Sequence, residues 1–218
     1  MSSPISSILL AGGKSSRLGI DKARIKLDGR FTMVQTVAEK LLAVSDEVIV
    51  VTDGRRYDEL KVNWASDVYL GAGPLGGLHS GLLAAKSSHA LVVACDMPFL
   101  NLALLRHMIE LPRDYDILIP KLSHGLEALH AIYSRKCLQP IEKLLKAGHF
   151  KILDFFDEVL VRYLPEEVIE RYDPDHHSFF SINTPERLRE AKVIIKKVFG
   201  RGSSSDQGGT ECNPLSNS

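Results

Sequence analysis

The string Leu10-Ala11-Gly12-Gly13-Lys14-Ser15-Ser16-Arg17-Leu18-Gly19-Ile20-Asp21-Lys22 joins an apolar run to a glycine turn and a set of cations. Glycines after a strand let backbone N–H groups approach an anion with no Cβ in the way. Lys14, Arg17 and Lys22 add positive charge to the same loop. Backbone donors beside cations of this density suit a triphosphate. Two familiar phosphate patterns fail: a Walker loop needs glycine where Ile8 stands, and Gly12, Gly13 and Gly19 lack the G-x-G-x-x-G spacing. The bland alternative is a strand-to-helix turn with solvated basic residues.

Ala94-Cys95-Asp96-Met97-Pro98 is the second constellation. A carboxylate at the end of a buried strand is costly without a partner. Mg²⁺ is a natural one, because it prefers carboxylate oxygen and bridges to substrate phosphates. Cys95 is too soft for that ion and reads as a small buried hydrophobe. Asp96 could instead cap the helix expected over Leu102–Ile109. The third constellation, Asp67 through Gly77, holds Gly71, Gly73, Gly76 and Gly77. It reads as an open loop before a helix, able either to wrap a flat base or to act as a tether. The last is Ser181-Ile182-Asn183-Thr184-Pro185. Thr184 and Pro185 make a helix start, whereas Asn183 is free to face a ligand.

The elements that must position these groups are legible too. Ile8–Ala11, Val48–Thr52, Ala90–Ala94, Ile117–Ile119 (ending at Pro120) and Leu129–Tyr133 are apolar runs of strand length. Runs apolar on both faces suit a parallel sheet covered on each side. Helical patterns lie between them, over Thr32–Leu42, Leu78–Ala85, Leu102–Ile109, Leu138–Leu145 and from Thr184 to Val198. The alternation predicts an α/β, doubly wound, mostly parallel fold, in which ligands gather at the carboxyl ends of strands.

The chain has 218 residues, with 27 Lys+Arg against 27 Asp+Glu. That length suits one domain, expected over residues 1–200. Residues 201–218, rich in Ser, Gly and Asn, are expected to form a disordered tail. The even charge argues against a nucleic-acid or membrane-surface partner. No apolar run approaches a membrane span, and no basic region precedes the first short apolar run. Three cysteines without regular spacing suit a reducing cytoplasm.

The glycine-cation string, Gly73-Pro74-Leu75-Gly76-Gly77, Cys95-Asp96-Met97-Pro98 and Ile182-Asn183-Thr184-Pro185-Glu186 together resemble the molybdenum cofactor guanylyltransferases, from about Ile5 to Phe199. The resemblance implies a Rossmann-like domain of the nucleotide-diphospho-sugar transferase type. It implies transfer of GMP from GTP to molybdopterin cofactor, with Mg²⁺ held by Asp96 and pyrophosphate released. GTP contacts would come from Leu10, Ala11, Gly12, Gly13, Lys22, Asp67, Gly73, Pro74, Leu75 and Asp96. Lys22, Arg17 and Asp96 would carry the chemistry, and Asn183 would lie on the acceptor side. Other proteins of cofactor biosynthesis or molybdoenzyme maturation are the implied partners. A molybdopterin cytidylyltransferase, a sugar-phosphate nucleotidyltransferase and a non-catalytic nucleotide-binding module are the competing readings. The chain departs from the family pattern at Ala128, where Pro is frequent, and at Thr52-Asp53-Gly54, where Asn is common. His130 receives no role.

Overall fold

The computed structural model describes residues 4–12, 21–27, 29–57 and 60–199. Gly13, Lys14 and Arg17 lie outside the described residues, as does the expected tail. The apolar runs form the strands β1 (Ser6–Leu10), β2 (Glu47–Thr52), β4 (His89–Ala94), β5 (Ile117–Leu122) and β7 (His130–Ser134). Between and beyond them lie β3 (Asn63–Ser66), β6 (Gly125–Leu126) and β8 (Val161–Pro165), which the sequence reading missed. These three are short or part-exposed and lack a continuous apolar run. The helices are α1 (Met33–Leu42), α2 (Gly73–Ala84), α3 (Leu102–Glu110), α4 (Leu138–Lys146), α5 (Glu166–Ile169) and α6 (Pro185–Phe199).

The described strands form one sheet in the order β3-β2-β1-β4-β7-β5-β6, with β8 paired to β5. The first four run parallel. The sheet is mostly parallel, as expected, and its exceptions include β7, which is antiparallel to both β4 and β5. β5 also runs through Pro120 instead of ending there. The Pro120 carbonyl accepts from Glu127 N–H at 3.1 Å. The missing N–H therefore falls on that side, where pairing with β7 has already ended.

Alternation along the strands assigns the two faces. Leu9, Val48, Val50, Leu91 and Val93 meet α1 and α3 on one side. Ile8, Ile49, Val51, Ala90 and Val92 meet α2 and α4 on the other. α1 starts on a capping box, in which Thr32 N–H donates to Gln35 Oε1 (2.8 Å) and Gln35 N–H donates to Thr32 Oγ1 (3.4 Å). Asn101, not Asp96, caps α3, its side chain accepting from the N–H groups of Ala103 and Leu104.

The largest correction concerns α2. The glycine-rich stretch is not an open loop, because the helix begins at Gly73 and takes in Pro74-Leu75-Gly76-Gly77. Each helical glycine costs about 1 kcal/mol in propensity. Full burial of Leu75, Leu78 and Leu82 returns about 1.5–3 kcal/mol apiece, so packing wins. The glycines let the helix press on the sheet: a Cβ on Gly81 would stand 2.4 Å from Ile8 Cγ2. Gly81→Ala is therefore expected to destabilise by about 1–3 kcal/mol through overpacking, although alanine is the better helix former. Urea denaturation checks this, and a gain in stability would contradict the close approach.

Candidate active site

The ends of β1, β2 and β4 are level, with Leu10 opposite both Val51 and Ala94. The chain builds β2 and β3 on one side of β1, then crosses to place β4 on the other. That reversal opens a crevice beyond the strand ends. A cleft of about 560 Å³ lies there, lined by Leu10, Ala11, Gly12, Lys22, Asp67, Gly73, Pro74, Gly77 and Asp96 among others.

Asp96 follows β4. Its carbonyl accepts from Ile182 N–H at 2.8 Å. From α1, Lys40 Nζ donates to the carbonyls of Pro98 (3.1 Å) and Leu100 (3.0 Å) and pins the loop behind it. Lys22 Nζ lies 3.5 Å from Asp96 Oδ2 across the cleft. Burial pushes the Asp96 carboxyl above the usual carboxylate range, and Lys22 partly opposes that rise. Lys22 opens a short 3-10 turn, Lys22–Arg24, capped by Asp21, whose Oδ1 accepts from Ala23 N–H at 3.1 Å.

Asp67 follows β3, and its N–H donates to the Thr52 carbonyl at 3.2 Å. Next to it, Val68 N–H donates to Ser80 Oγ (2.9 Å), which ties the turn to α2. The space around the carboxylate is made by absent side chains. A Cβ on Gly12 would stand 3.6 Å from Asp67 Oδ2, and one on Gly77 would stand 3.6 Å from Oδ1. Among the described residues, Asp67 Oδ1 is buried with no hydrogen-bond partner. Burial, then the neighbouring Asp53, push its pKa up. A buried, unpartnered acceptor facing a cleft is a group prepared for a donor or cation.

The Leu75 side chain is fully buried in the core and is not part of the cleft lining. Helical periodicity turns Gly73, Pro74 and Gly77 toward the cleft and Leu75 away. Asn183 is half-buried outside the cleft lining, one residue from the Ile182 bond to Asp96, and its Nδ2 donates to Ser181 Oγ at 3.5 Å. The reading of Asp96 as a helix cap falls with Asn101 in that place.

Asp21, Asp53, Leu70 and Leu129 also line the cleft and were not assigned from the sequence. Leu129 arrives because antiparallel β7 begins at the rim where the parallel strands end, and its carbonyl accepts from Ala94 N–H at 3.1 Å. At the departure from the family pattern, the Ala128 carbonyl accepts from Tyr133 Oη at 2.7 Å. The described lining is acidic, with Asp21, Asp53, Asp67 and Asp96 beside Lys22. Such a cleft accepts a polyanion only with further positive charge. Its hard oxygen donors are of the type Mg²⁺ takes.

A family model described as a MobA-like NTP transferase domain matches residues 7–162. The probable molybdenum cofactor guanylyltransferase of Pelotomaculum thermopropionicum is 38% identical over 191 residues, covering 87% of this chain and 92% of the relative. The molybdenum cofactor guanylyltransferase of Desulfosudis oleivorans is 38% identical over 196 residues, covering 88% and 96%. The chain belongs to the molybdenum cofactor guanylyltransferase family. The crystal structure of molybdopterin-guanine dinucleotide biosynthesis protein A from Archaeoglobus fulgidus superposes with a TM-score of 0.78 at 28% identity, covering 89% of this chain and all of the other. The fold is accordingly the Rossmann-like nucleotidyltransferase type expected from the motifs.

In this guanylyltransferase-family chain His130 is a packing residue. It is fully buried, with its ring centroid 4.7 Å from that of Phe179. Burial lowers its pKa to about 4, against a smaller raising effect of Asp173. The unfolded chain therefore takes up this proton first. Stability from the neutral ring is complete above about pH 6.5 and is lost progressively as pH falls toward about 4, by up to about 3 kcal/mol. His130→Leu is expected to flatten the acid arm of the Tm–pH profile over that window, and an unchanged slope would count against this account.

Proposed function

We propose that the chain transfers GMP from GTP to the molybdenum–molybdopterin cofactor, forming molybdopterin guanine dinucleotide and pyrophosphate. The observation that carries this reading is the Lys22–Asp96 pair bridging the strand-end cleft, in a chain of this family. An acceptor phosphate attacks the α-phosphorus of GTP in line: a new P–O bond forms, and the bond to the bridging oxygen of the departing pyrophosphate breaks. The phosphate is already anionic, so no side chain need remove a proton. The work left to the protein is positioning and neutralisation of charge.

Lys22 is placed to neutralise charge on the triphosphate and then on the leaving pyrophosphate. The opening at Gly12 lets the chain approach the phosphates closely, and we assign Gly13 and Arg17 to the same loop. Leu10, Ala11, Gly73 and Pro74 form walls for the nucleoside, and Asp67 offers its unpartnered oxygen to a donor on it. Asn183, beside the Asp96 anchor, is assigned to the acceptor side. Asp96 would hold Mg²⁺, which when bound supplies Lewis-acid neutralisation at the phosphates. Among the described residues no helix is long and apolar enough to cross a membrane. Cys95 and Cys137 are buried free thiols, which suits the cytoplasmic setting we assign.

The test is pyrophosphate release with GTP, Mg²⁺ and molybdopterin cofactor, omitting each in turn, and with CTP, ATP and UTP in place of GTP. Release requiring all three components and preferring GTP is the expected result. Preference for CTP would move the chain to cytidylyl transfer. Nucleotide binding without release would leave a binding module.

A further inference from the structure

Arg55, which the sequence reading passed over, joins two carboxylates at the cleft mouth. Its Nη1 lies 3.0 Å from Asp21 Oδ2. Its Nε and Nη2 reach Asp53 Oδ1 (2.7 Å) and Oδ2 (3.0 Å), a bidentate pair. The turn that carries Arg55 is fixed from both ends: its carbonyl accepts from Thr52 Oγ1, at the end of β2, at 2.6 Å, and Gly54 N–H donates to the same hydroxyl at 3.3 Å. The partner Asp21 caps the turn that begins with Lys22, accepts from Tyr57 Oη at 3.3 Å, and also meets the exposed Arg24, whose Nε lies 3.6 Å from the same Oδ2.

We propose that Arg55 is a positioning residue for nucleotidyl transfer, locking the Asp21 cap so that Lys22 meets Asp96, and neutralising Asp21 and Asp53 where the polyphosphate enters. The proposal rests on the GMP-transfer reading. Removing the guanidinium would have two separable consequences. The Lys22 turn would lose its tie to β2, which lowers kcat. Asp53 would lose its bidentate partner and Asp21 would keep only the exposed Arg24 at 3.6 Å, so more negative charge would face an entering polyanion, which weakens nucleotide binding. Arg55 is bonded through a planar fork to one carboxylate while it touches the other, an arrangement that lysine cannot copy.

Steady-state kinetics and calorimetric titration of Mg²⁺–GTP and of Mg²⁺–pyrophosphate on Arg55→Ala, Arg55→Lys and Arg55→Ala/Asp53→Asn decide the matter. Arg55→Ala is expected to raise the GTP KM and both dissociation constants at least about tenfold and to lower kcat by a similar factor. Arg55→Lys should recover most of the affinity and little of kcat. Asp53→Asn in the alanine background should recover affinity alone. Kinetics and affinities within about twofold of wild type, or a lowered Tm with unchanged kcat and KM per folded molecule, would overturn the proposal. So would full recovery of kcat by lysine. If wild type releases no pyrophosphate from GTP, the substrate reading fails. Arg55 is then judged on pyrophosphate affinity, where no difference between wild type and Arg55→Ala refutes it.

Discussion

Asp96→Asn is expected to lower kcat by about 10³-fold or more while the protein stays folded. Asparagine keeps the size of the side chain and an acceptor for Lys22, so the substitution isolates the charge. In the native chain that charge sits in a partly buried position at the end of β4, and burial raises its pKa. A carboxyl whose folded pKa lies above the unfolded value penalises the fold when ionised. The penalty is full above the raised folded value and vanishes below the ordinary value of 3.8. The asparagine variant should therefore equal or exceed wild type in Tm at pH 7, and lose that advantage in acid. Calorimetry adds a second readout: Mg²⁺ should tighten GTP binding to wild type and not to the variant. Near-normal turnover of Asp96→Asn would remove Asp96 from the chemistry.

Lys22→Ala carries the second largest expected effect, about 10²–10³-fold in kcat/KM. Its ammonium lies 3.5 Å from Asp96 Oδ2, with the two side chains only 19% and 22% exposed. The loss should divide between KM and kcat, because positive charge helps bind the triphosphate and helps the pyrophosphate leave. The Tm should fall somewhat, since both side chains are largely buried and removing the ammonium leaves the Asp96 charge uncompensated, so the deciding readout is kcat/KM per folded molecule. A Tm collapse with normal kcat in the surviving enzyme would mean that Lys22 serves the fold. Lys22→Arg should restore binding better than turnover, because a planar fork does not reproduce a compact ammonium.

The parallel strands and their flanking helices were legible because burial on both faces leaves continuous apolar runs, such as Val48–Thr52 and Ala90–Ala94. Asp96 and Lys22 were legible because a charge at a strand end, or beside a glycine turn, has few structural reasons to be there. α2 was read late because its first turns are glycines. Local propensity argues against helix there, and only contact with Ile8, Leu10 and Tyr69 explains the choice. The inward phase of Leu75 was not legible for the same reason: a loop gives no phase, whereas a helix starting at Gly73 does.

By itself the sequence determined the chemistry on offer: a glycine turn with cations, an acid after a buried strand, and the elements carrying them. Strand order belongs to the tertiary structure. Placing β4 beside β1, and β7 antiparallel beyond it, is a choice among long-range pairings that no local pattern encodes. That choice brought Lys22 to Asp96 across 74 positions of chain, set Leu129 at the rim, and left Asp67 Oδ1 without a partner among the described residues. The link from Arg55 to both Asp21 and Asp53 arises in the same way. Its three members look like ordinary surface charges in the sequence, and they become one device only when the ends of β1 and β2 stand side by side.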